Sequence, residues 1–430
     1  MIPQPPTPPQ HPHLPTDFDH RAAARDSLHG LAVGDAFGAQ HFVPENRPAL
    51  AAERLPAAPW PWTDDTEMAC SVLAGLHERG RVDGWELGHA FAHHHDFDRG
   101  YGPAMNGLLR KVRQGGSASA LARALFDGQG SYGNGAAMRV APLGAWYAVD
   151  LAEAAQEAAR SAEVTHTHPE AVAGAVAVAL AAAVAAGSRG RAITAQEWLR
   201  PVLALTPAGK VRDCVAEALE LTVRPDAAYA AHRLGNGRLT SAVDTVPFAL
   251  WCAATHPDSY ERALWATASA GGDVDTTCAI VGGILAARLG TEGIPAAWRA
   301  AVEPLPDWAR AEEPSTDATR ADHPGAQPIR RPEPIPVPEL RWTPGQWQRV
   351  RHGVRSRSMD DRWYSYLDGD QLLLHRSWTG HGIYRVTVST AGGRPRPVAA
   401  LVESDEERYR RGDDRYERDN LAQLLAGLFA

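Results

Sequence analysis

The sequence reads as an all-α body of many helices followed by a small α+β module. Three observations carry that reading. Ala/Leu/Val stretches of helical length recur at 66–79, 151–163, 170–187, 195–205, 211–221, 246–254, 260–269 and 277–289, with no convincing period-two strand among them. Residues 303–340 then hold nine prolines among Glu, Asp, Arg and Ser, which ends all periodicity and predicts a linker. Beyond it, residues 341–430 change to β-branched, aromatic and aliphatic runs separated by turns.

Each element follows from local chemistry. Strands are expected at 362–367, 371–378, 383–390 and 397–403, with Asp368-Gly369, 379–382 and 391–393 as turns and a closing helix at 415–429. The run His375-Arg376-Ser377-Trp378-Thr379-Gly380 is explained by an aromatic hairpin with a glycine turn, and the module is an accessory domain of unknown role. The body spans 17–302. Residues 1–16 carry seven prolines and no apolar core, so a disordered polyproline arm is expected instead of an export signal. Residues 171–187 are apolar throughout but short for a membrane span, and alanine transfers little free energy; a buried core helix is expected, with no membrane role.

Composition narrows the function. A chain of 430 residues exceeds one ordinary core, and 44% hydrophobic with 22% charged residues describes a globular protein. A net charge of −8 argues against broad, sequence-independent nucleic-acid binding, which needs Lys and Arg to neutralise phosphates. Cys70, Cys214, Cys252 and Cys278 are far apart with no CxxC pair. They fit buried thiols in a reducing compartment, and a cytoplasmic location is expected.

Two segments concentrate carboxylates where helices begin. Thr63-Asp64-Asp65-Thr66-Glu67 precedes the stretch from Met68, and Gly271-Gly272-Asp273-Val274-Asp275-Thr276-Thr277 precedes the stretch from Cys278. Helix capping is the plain explanation: Asp and Thr are favoured N-caps, and Asp64-x-x-Glu67 resembles a capping box. One cap, however, needs one side chain, and a second acid in each turn adds repulsion. If the two starts converge, four carboxylates and several hydroxyls provide the hard oxygen donors that Mg²⁺, Mn²⁺ or Ca²⁺ require. Spacing alone does not establish convergence. Gly282-Gly283 would let another helix approach closely.

Further motifs stand in order around this pair: Gly30-x-x-x-Gly34-Asp35-Ala36-Phe37-Gly38, Gly100-Tyr101-Gly102, Ser131-Tyr132-Gly133-Asn134-Gly135 running on to Arg139, and Thr165-His166-Thr167-His168-Pro169. Together with TDDT (63–66) and GGDVDTT (271–277), they resemble the ADP-ribosylglycohydrolase family over about residues 25–301. That family includes the dinitrogenase-reductase-activating glycohydrolases and the eukaryotic ADP-ribosyl-acceptor hydrolases.

The resemblance implies an all-helical fold and two Mg²⁺ or Mn²⁺ ions. It implies hydrolysis of the bond joining ADP-ribose to a protein side chain such as arginine, or to a small compound. Nucleic acid is then expected only as an ADP-ribosylated substrate. Carried over by position, Thr63, Asp64, Asp65, Asp273, Asp275 and Thr276 hold metal, and Asp64 or Asp273 takes the proton of the attacking water. Gly100, Tyr101, Gly102, Ser131, Tyr132, Gly133, Asn134 and His166 contact substrate, with Tyr101 on a flexible loop. Plain alternatives stand beside three of these: a glycine turn for 131–135, a structural aromatic for Tyr101 and a helix cap for His166. Arg139 has two readings, neutralising phosphate or, the commoner fate inside a helix, an internal salt bridge; Asp35 is expected in a minor structural role, bonding backbone near the site. The sequence departs from the family where a Glu is expected after Gly38: it has Gln40, His41 and Phe42, with Glu45 the first carboxylate. An inert ADP-ribose-binding protein on the same fold is therefore the alternative function.

Overall fold

The computed structural model describes residues 18–309, 318, 320, 325–356, 361–391 and 394–429; the arm expected at 1–16 lies outside them. The chain divides into two units between Ala311 and Glu312.

The first unit is all-helical. It begins with α1 (His20–Ala39), α2 (Arg47–Ala51), α3 (Asp64–Arg79), α4 (Gly84–His94), α5 (Pro103–Arg113) and α6 (Ala118–Ala124). It continues with α7 (Ala141–Trp146), α8 (Leu151–Glu163), α9 (Pro169–Gly187), α10 (Ala195–Leu205) and α11 (Lys210–Leu221). It ends with α12 (Ala227–Leu234), α13 (Ala242–Thr255), α14 (Tyr260–Ser269), α15 (Val274–Leu289) and α16 (Ala296–Ala301). Ordinary caps start many of these helices. Asp19, Asp83, Asp150, Thr194, Asp226, Ser241 and Ser259 each accept a backbone N–H from their own first turn, worth ~1 kcal/mol apiece.

Helix α9 is the centre of the core. It is long and apolar enough to cross a membrane, yet it is buried on nearly every side against α7, α8, α13 and α15. Alanine makes this possible, because small side chains allow several helices to surround one.

The closest packing lies between α1 and α15, which run antiparallel. Gly30, Gly34 and Gly38 form a stripe at four-residue spacing along α1. A Cβ at Gly30 would sit 2.4 Å from Gly282 O, one at Gly34 2.2 Å from Cys278 O, and one at Gly38 2.5 Å from Asp275 Cα. At all three positions the α1 backbone comes within reach of the α15 backbone, an approach that glycine permits.

The second unit is a five-stranded antiparallel sheet with two helices. Its strands are β1 (Pro332–Ile335), β2 (Trp363–Asp368), β3 (Gln371–Arg376), β4 (Gly382–Ser389) and β5 (Arg396–Glu403), in the order β1-β5-β4-β3-β2. Helices α17 (Pro344–His352) and α18 (Asp414–Phe429) share one core with it, where Val350, Leu421, Leu425 and Phe429 join Leu372, Leu374, Val386 and Val402.

The linker expected at 303–340 is corrected at both ends. Its start belongs to the body: Glu303 N donates to Trp60 O at 3.0 Å, Leu305 is buried in the body core, and Trp308 stacks on His94 at 3.6 Å. Near its end, β1 pairs with β5. Pro332 and Pro334 are tolerated because an edge strand needs N–H donors on one side only.

Gly34→Ala should lower unfolding free energy by about 1–3 kcal/mol or more, since its methyl would meet backbone that cannot rotate away. Chemical denaturation measures this; unchanged stability would mean that the two helices are not in backbone contact.

Candidate active site

The two carboxylate-rich segments converge, and α1 is the element that joins them. Asp35, fully buried on α1, was expected in a minor structural role, bonding backbone near the site. It does bond backbone there, and hydroxyls as well: its carboxylate accepts four bonds from the start of α3, Thr63 N at 2.9 Å, Thr63 Oγ1 at 2.8 Å, Thr66 N at 3.1 Å and Thr66 Oγ1 at 2.5 Å. Asp35 thus satisfies the amides that a local cap would have taken. Thr63 and Asp273 occupy the N-cap positions of α3 and α15, yet neither side chain accepts a backbone N–H of its own helix. The capping explanation fails at both starts, and their acids are left for another use.

Asp65 ties the segments together. Its Oδ2 accepts from Thr63 Oγ1 at 3.1 Å and from Thr276 Oγ1, 211 residues away in sequence, at 3.4 Å. Its Oδ1 is buried and has no hydrogen-bond partner. Asp275 Oδ1 accepts from Thr276 N at 2.9 Å, and Asp273 Oδ2 accepts from Asn134 Nδ2 at 2.7 Å. Among the described residues, no lysine or arginine forms an ion pair with Asp35, Asp64, Asp65, Asp273 or Asp275. Nor do three His, Cys, Asp or Glu side chains among them gather as a group able to hold an ion. Hydroxyl and amide donors link the acids instead.

Burial and mutual repulsion both disfavour ionisation here. Burial, opposed by its four hydrogen bonds, holds Asp35 up at about 6. Asp64 is raised to about 7 by burial first and then by the charge of Asp35. Asp65 and Asp275 lie well above the usual carboxylate range, through burial and then through Asp35 and Asp273 respectively. Asp273 is raised by burial, with Asn134 opposing.

Two loops border the cluster. Gly100 has φ +90°, and a Cβ there would lie 4.0 Å from Asp64 Oδ1, so bare backbone faces that acid. Exposed Gly102 opens α5. Tyr101 between them corrects the expectation of a mobile contact: it is buried, and its hydroxyl donates to Glu67 Oε2 at 2.7 Å. Glu67 also accepts from Asp96 N at 3.0 Å. It is therefore a buried strut for the 96–102 segment and not half of a capping box. Arg99 stacks on the Trp62 ring at 3.4 Å and pairs with Glu303, which accepts from Trp62 N at 3.1 Å. These contacts steady the chain one residue before Thr63.

Across the cluster lies loop 131–135. Ser131 Oγ accepts from Gly133 N at 3.2 Å, Gly133 bridges to Ser241, and Asn134 N donates to Thr240 O at 3.1 Å. Asn134 also bonds Thr245 Oγ1 at 3.1 Å, so its amide is fixed between α13 and Asp273. Tyr132 is 55% exposed and available to a ligand, with His168 edge-on at 5.9 Å. His166 is buried against the loop, 3.4 Å from where a Cβ would stand on Gly133, and it caps nothing; His168 is the residue that caps α9.

Sequence reasoning missed the segment 236–240. A cleft of about 430 Å³ is lined by Asn236, Gly237, Arg238, Thr240, Ala270, Gly272 and Asp273. Gly237 (φ +86°) packs on Asp273, whose N–H donates to Asn236 O at 3.2 Å. The Asn-Gly pair was a readable turn signal, but nothing local tied it to the acids. A larger cavity of about 590 Å³, between α3 and α4, includes none of the clustered aspartates. The replacement carboxylate considered for the missing family Glu also stands apart: Glu45 is exposed on a short turn, and Gln40 is bonded to Ala36 O and Asn46.

Residues 16–323 match the model of the ADP-ribosylglycohydrolase family. The Bos taurus protein called ADP-ribosylhydrolase ARH3 is 29% identical over 327 residues, spanning 65% of this chain and 88% of that one. Its Homo sapiens counterpart is 30% identical over 281 residues, 56% and 74% of the respective chains. ADP-ribosylarginine hydrolase Tri1 of Pseudomonas putida is 27% identical over 295 residues, 64% and 72% of the two chains. A solved structure called an ADP-ribosylglycohydrolase-related protein complex gives a TM-score of 0.43 at 24% identity, covering 66% of this chain and 93% of its own. The family match takes in the whole helical body with every residue of the acidic cluster, and the chain belongs to the ADP-ribosylglycohydrolase family.

Proposed function

We propose that the protein is a metal-dependent hydrolase of the glycosidic bond between ADP-ribose and an acceptor, acting in the cytoplasm. The acceptor is a protein side chain such as arginine, or a small ADP-ribosylated compound. The observation that supports this most directly is the meeting of Thr63, Asp64 and Asp65 with Asp273, Asp275 and Thr276. An acid cluster that forms no ion pair with a lysine or arginine among the described residues, and is uncommitted by capping, is suited to a cation.

The residues present fit Mg²⁺ or Mn²⁺ by chemistry. Asp65 Oδ1 is a buried oxygen without a donor, and the neighbouring donors are carboxylate and hydroxyl oxygens. Asp64, Asp65, Asp273 and Asp275 would hold two ions, with Thr63 and Thr276 completing the set. Bound ions would supply Lewis acidity toward the ribose hydroxyls and toward water.

The chain's own groups do the rest. Gly100 leaves room beside Asp64 for the scissile ribose. Loop 131–135 and Asn134 seat the diphosphate and ribose, and exposed Tyr132 meets the distal end. Asp64 or Asp273 accepts the proton of a water whose oxygen attacks C1″, and the acceptor departs with the bonding pair. A second reading, ADP-ribose binding without turnover, draws on one observation: Gln40, His41 and Phe42 follow Gly38, where the resemblance leads one to expect a Glu, and Glu45 is exposed.

Asp273→Ala should reduce ADP-ribose release from an arginine-, serine- or base-linked panel by about 100-fold or more, and chelation should do the same. Full turnover in verified metal-free protein would sink the metal assignment. No turnover on any substrate, with ADP-ribose binding intact, would favour the second reading.

A pH dependence follows from the raised acids. Asp35 and Asp64 hold protons in the folded state up to about 6 and 7, but release them near ~4 when unfolded. Between these values the native state binds more protons, so metal-free stability falls as pH rises. Added Mg²⁺ should therefore raise the melting temperature more at pH ~7.5 than at pH ~5. Equal shifts at both would show that the cation binds elsewhere.

A further inference from the structure

We propose that Thr165, oriented by Arg139, is a positioning residue that fixes His166 as a hydrogen-bond donor through Nε2 toward loop 131–135. The idea rests on the reading above in one respect: that this loop receives the diphosphate of ADP-ribose.

An internal salt bridge was the commoner reading of Arg139, and the structure corrects this. The guanidinium is fully buried, and no carboxylate among the described residues pairs with it. Its Nη2 donates to Ser161 O at 2.8 Å and to Thr165 Oγ1 at 2.9 Å, its Nη1 approaches Met68 Sδ at 3.6 Å, and the group lies 4.5 Å from the Phe91 ring centre. A buried cation is costly unless its donors are spent on well-placed acceptors. Two of them are spent beside the turn that carries His166.

The hydrogen count then determines the ring. Thr165 is fully buried, and its Oγ1 has two polar neighbours among the described residues: Arg139 Nη2, and His166 Nδ1 at 2.8 Å. Arginine can only donate, so it takes a lone pair of the hydroxyl oxygen. The hydroxyl's single hydrogen has one remaining acceptor, Nδ1. A neutral imidazole that accepts at Nδ1 carries its proton on Nε2. The ring is neutral because burial, and then the charge of Arg139, hold it down at about 3.

Nε2 is directed at bare backbone. A Cβ on Gly133 would lie 3.4 Å from it, and one on Gly135 would lie 3.0 Å from it and 2.8 Å from Cε1. No protein acceptor among the described residues bonds this nitrogen. A phosphoryl oxygen seated on the loop would accept its hydrogen. The other tautomer would present a lone pair to the same anion and repel it. Arg139 and Thr165 thus select for an anionic ligand without touching it.

The first test needs no variant. Long-range proton–nitrogen correlation spectra of ¹⁵N-labelled free protein should show His166 Nδ1 unprotonated and Nε2 protonated. Thr165→Val should mix the tautomers and weaken ADP-ribose binding, measured by calorimetry, about tenfold. Thr165→Ser, which keeps the hydroxyl, should restore the spectrum and bring affinity back to about the wild-type value. A wild-type ring protonated on Nδ1 would overturn the proposal, as would undiminished affinity in a folded Thr165→Val protein. Wild-type protein with the Nε2-protonated ring that fails to bind ADP-ribose would overturn the functional reading of the loop and leave the tautomer assignment standing.

Discussion

The contact between α1 and α15 is the constraint from which the site follows. Three glycines one helical turn apart let the α1 backbone approach the backbone of α15 directly, so the two helices are fixed relative to each other with little freedom to slide. Gly38 abuts Val274 and Asp275 at the start of α15, while Asp35, on the same helix, grips Thr63 and Thr66 at the start of α3. Both halves of the acidic cluster are therefore referenced to one rigid element. Convergence across two hundred residues needs no long-range coincidence once α1 is placed.

The cluster is built against local stability. Among the described residues, nine other α-helices begin with a side chain that accepts an amide of their own first turn. At α3 that duty passes to Asp35, a residue from another helix, which leaves Asp64 and Asp65 free of capping their own helix. Four aspartates are then brought together in low-dielectric surroundings, where each raises the proton affinity of the next. A fold selected only for stability would place an apolar or amide residue at some of these positions. Departure from local preference of this kind is what a functional site costs.

Much of this was legible in the sequence, for identifiable reasons. Helix stretches such as 151–163 and 195–205 were readable because each depends on its own periodicity and its own cap, and both are local. The two acid pairs stood out because two acids in one helical turn exceed what capping requires, while the set of six positions came only from the resemblance to the family. What stayed hidden depends on partners distant in sequence. Nothing near Tyr101 announces that its hydroxyl turns inward to Glu67, and nothing near Asn236 announces Asp273. The strand at Pro332–Ile335 was hidden for another reason: proline density signals a linker, and only pairing with β5 reveals an edge strand that needs few of its own N–H groups.

On the proposed reading, the pocket is chemically two-ended, and Asn134 is the joint. Its side-chain amide donates to Asp273 in the acidic cluster, while its backbone N–H belongs to the glycine-rich loop at the opposite end. Acids with raised proton affinity crowd the first end, which suits a cation. At the other end, neutral His166 and the backbone around Gly133 suit an anion, and Arg139 lies buried behind them with no carboxylate among the described residues in an ion pair with it. ADP-ribose has matching polarity: hydroxyls for cation-assisted binding on its terminal ribose, and a diphosphate one step away. The order of those groups along the ligand then decides which bond is cut, because only the terminal ribose carbon can lie beside Asp64 while the diphosphate occupies the loop. Specificity for the ADP-ribosyl side would come from this polarity, and the acceptor, emerging past the exposed Gly100 and Gly102 turn, would be constrained far less.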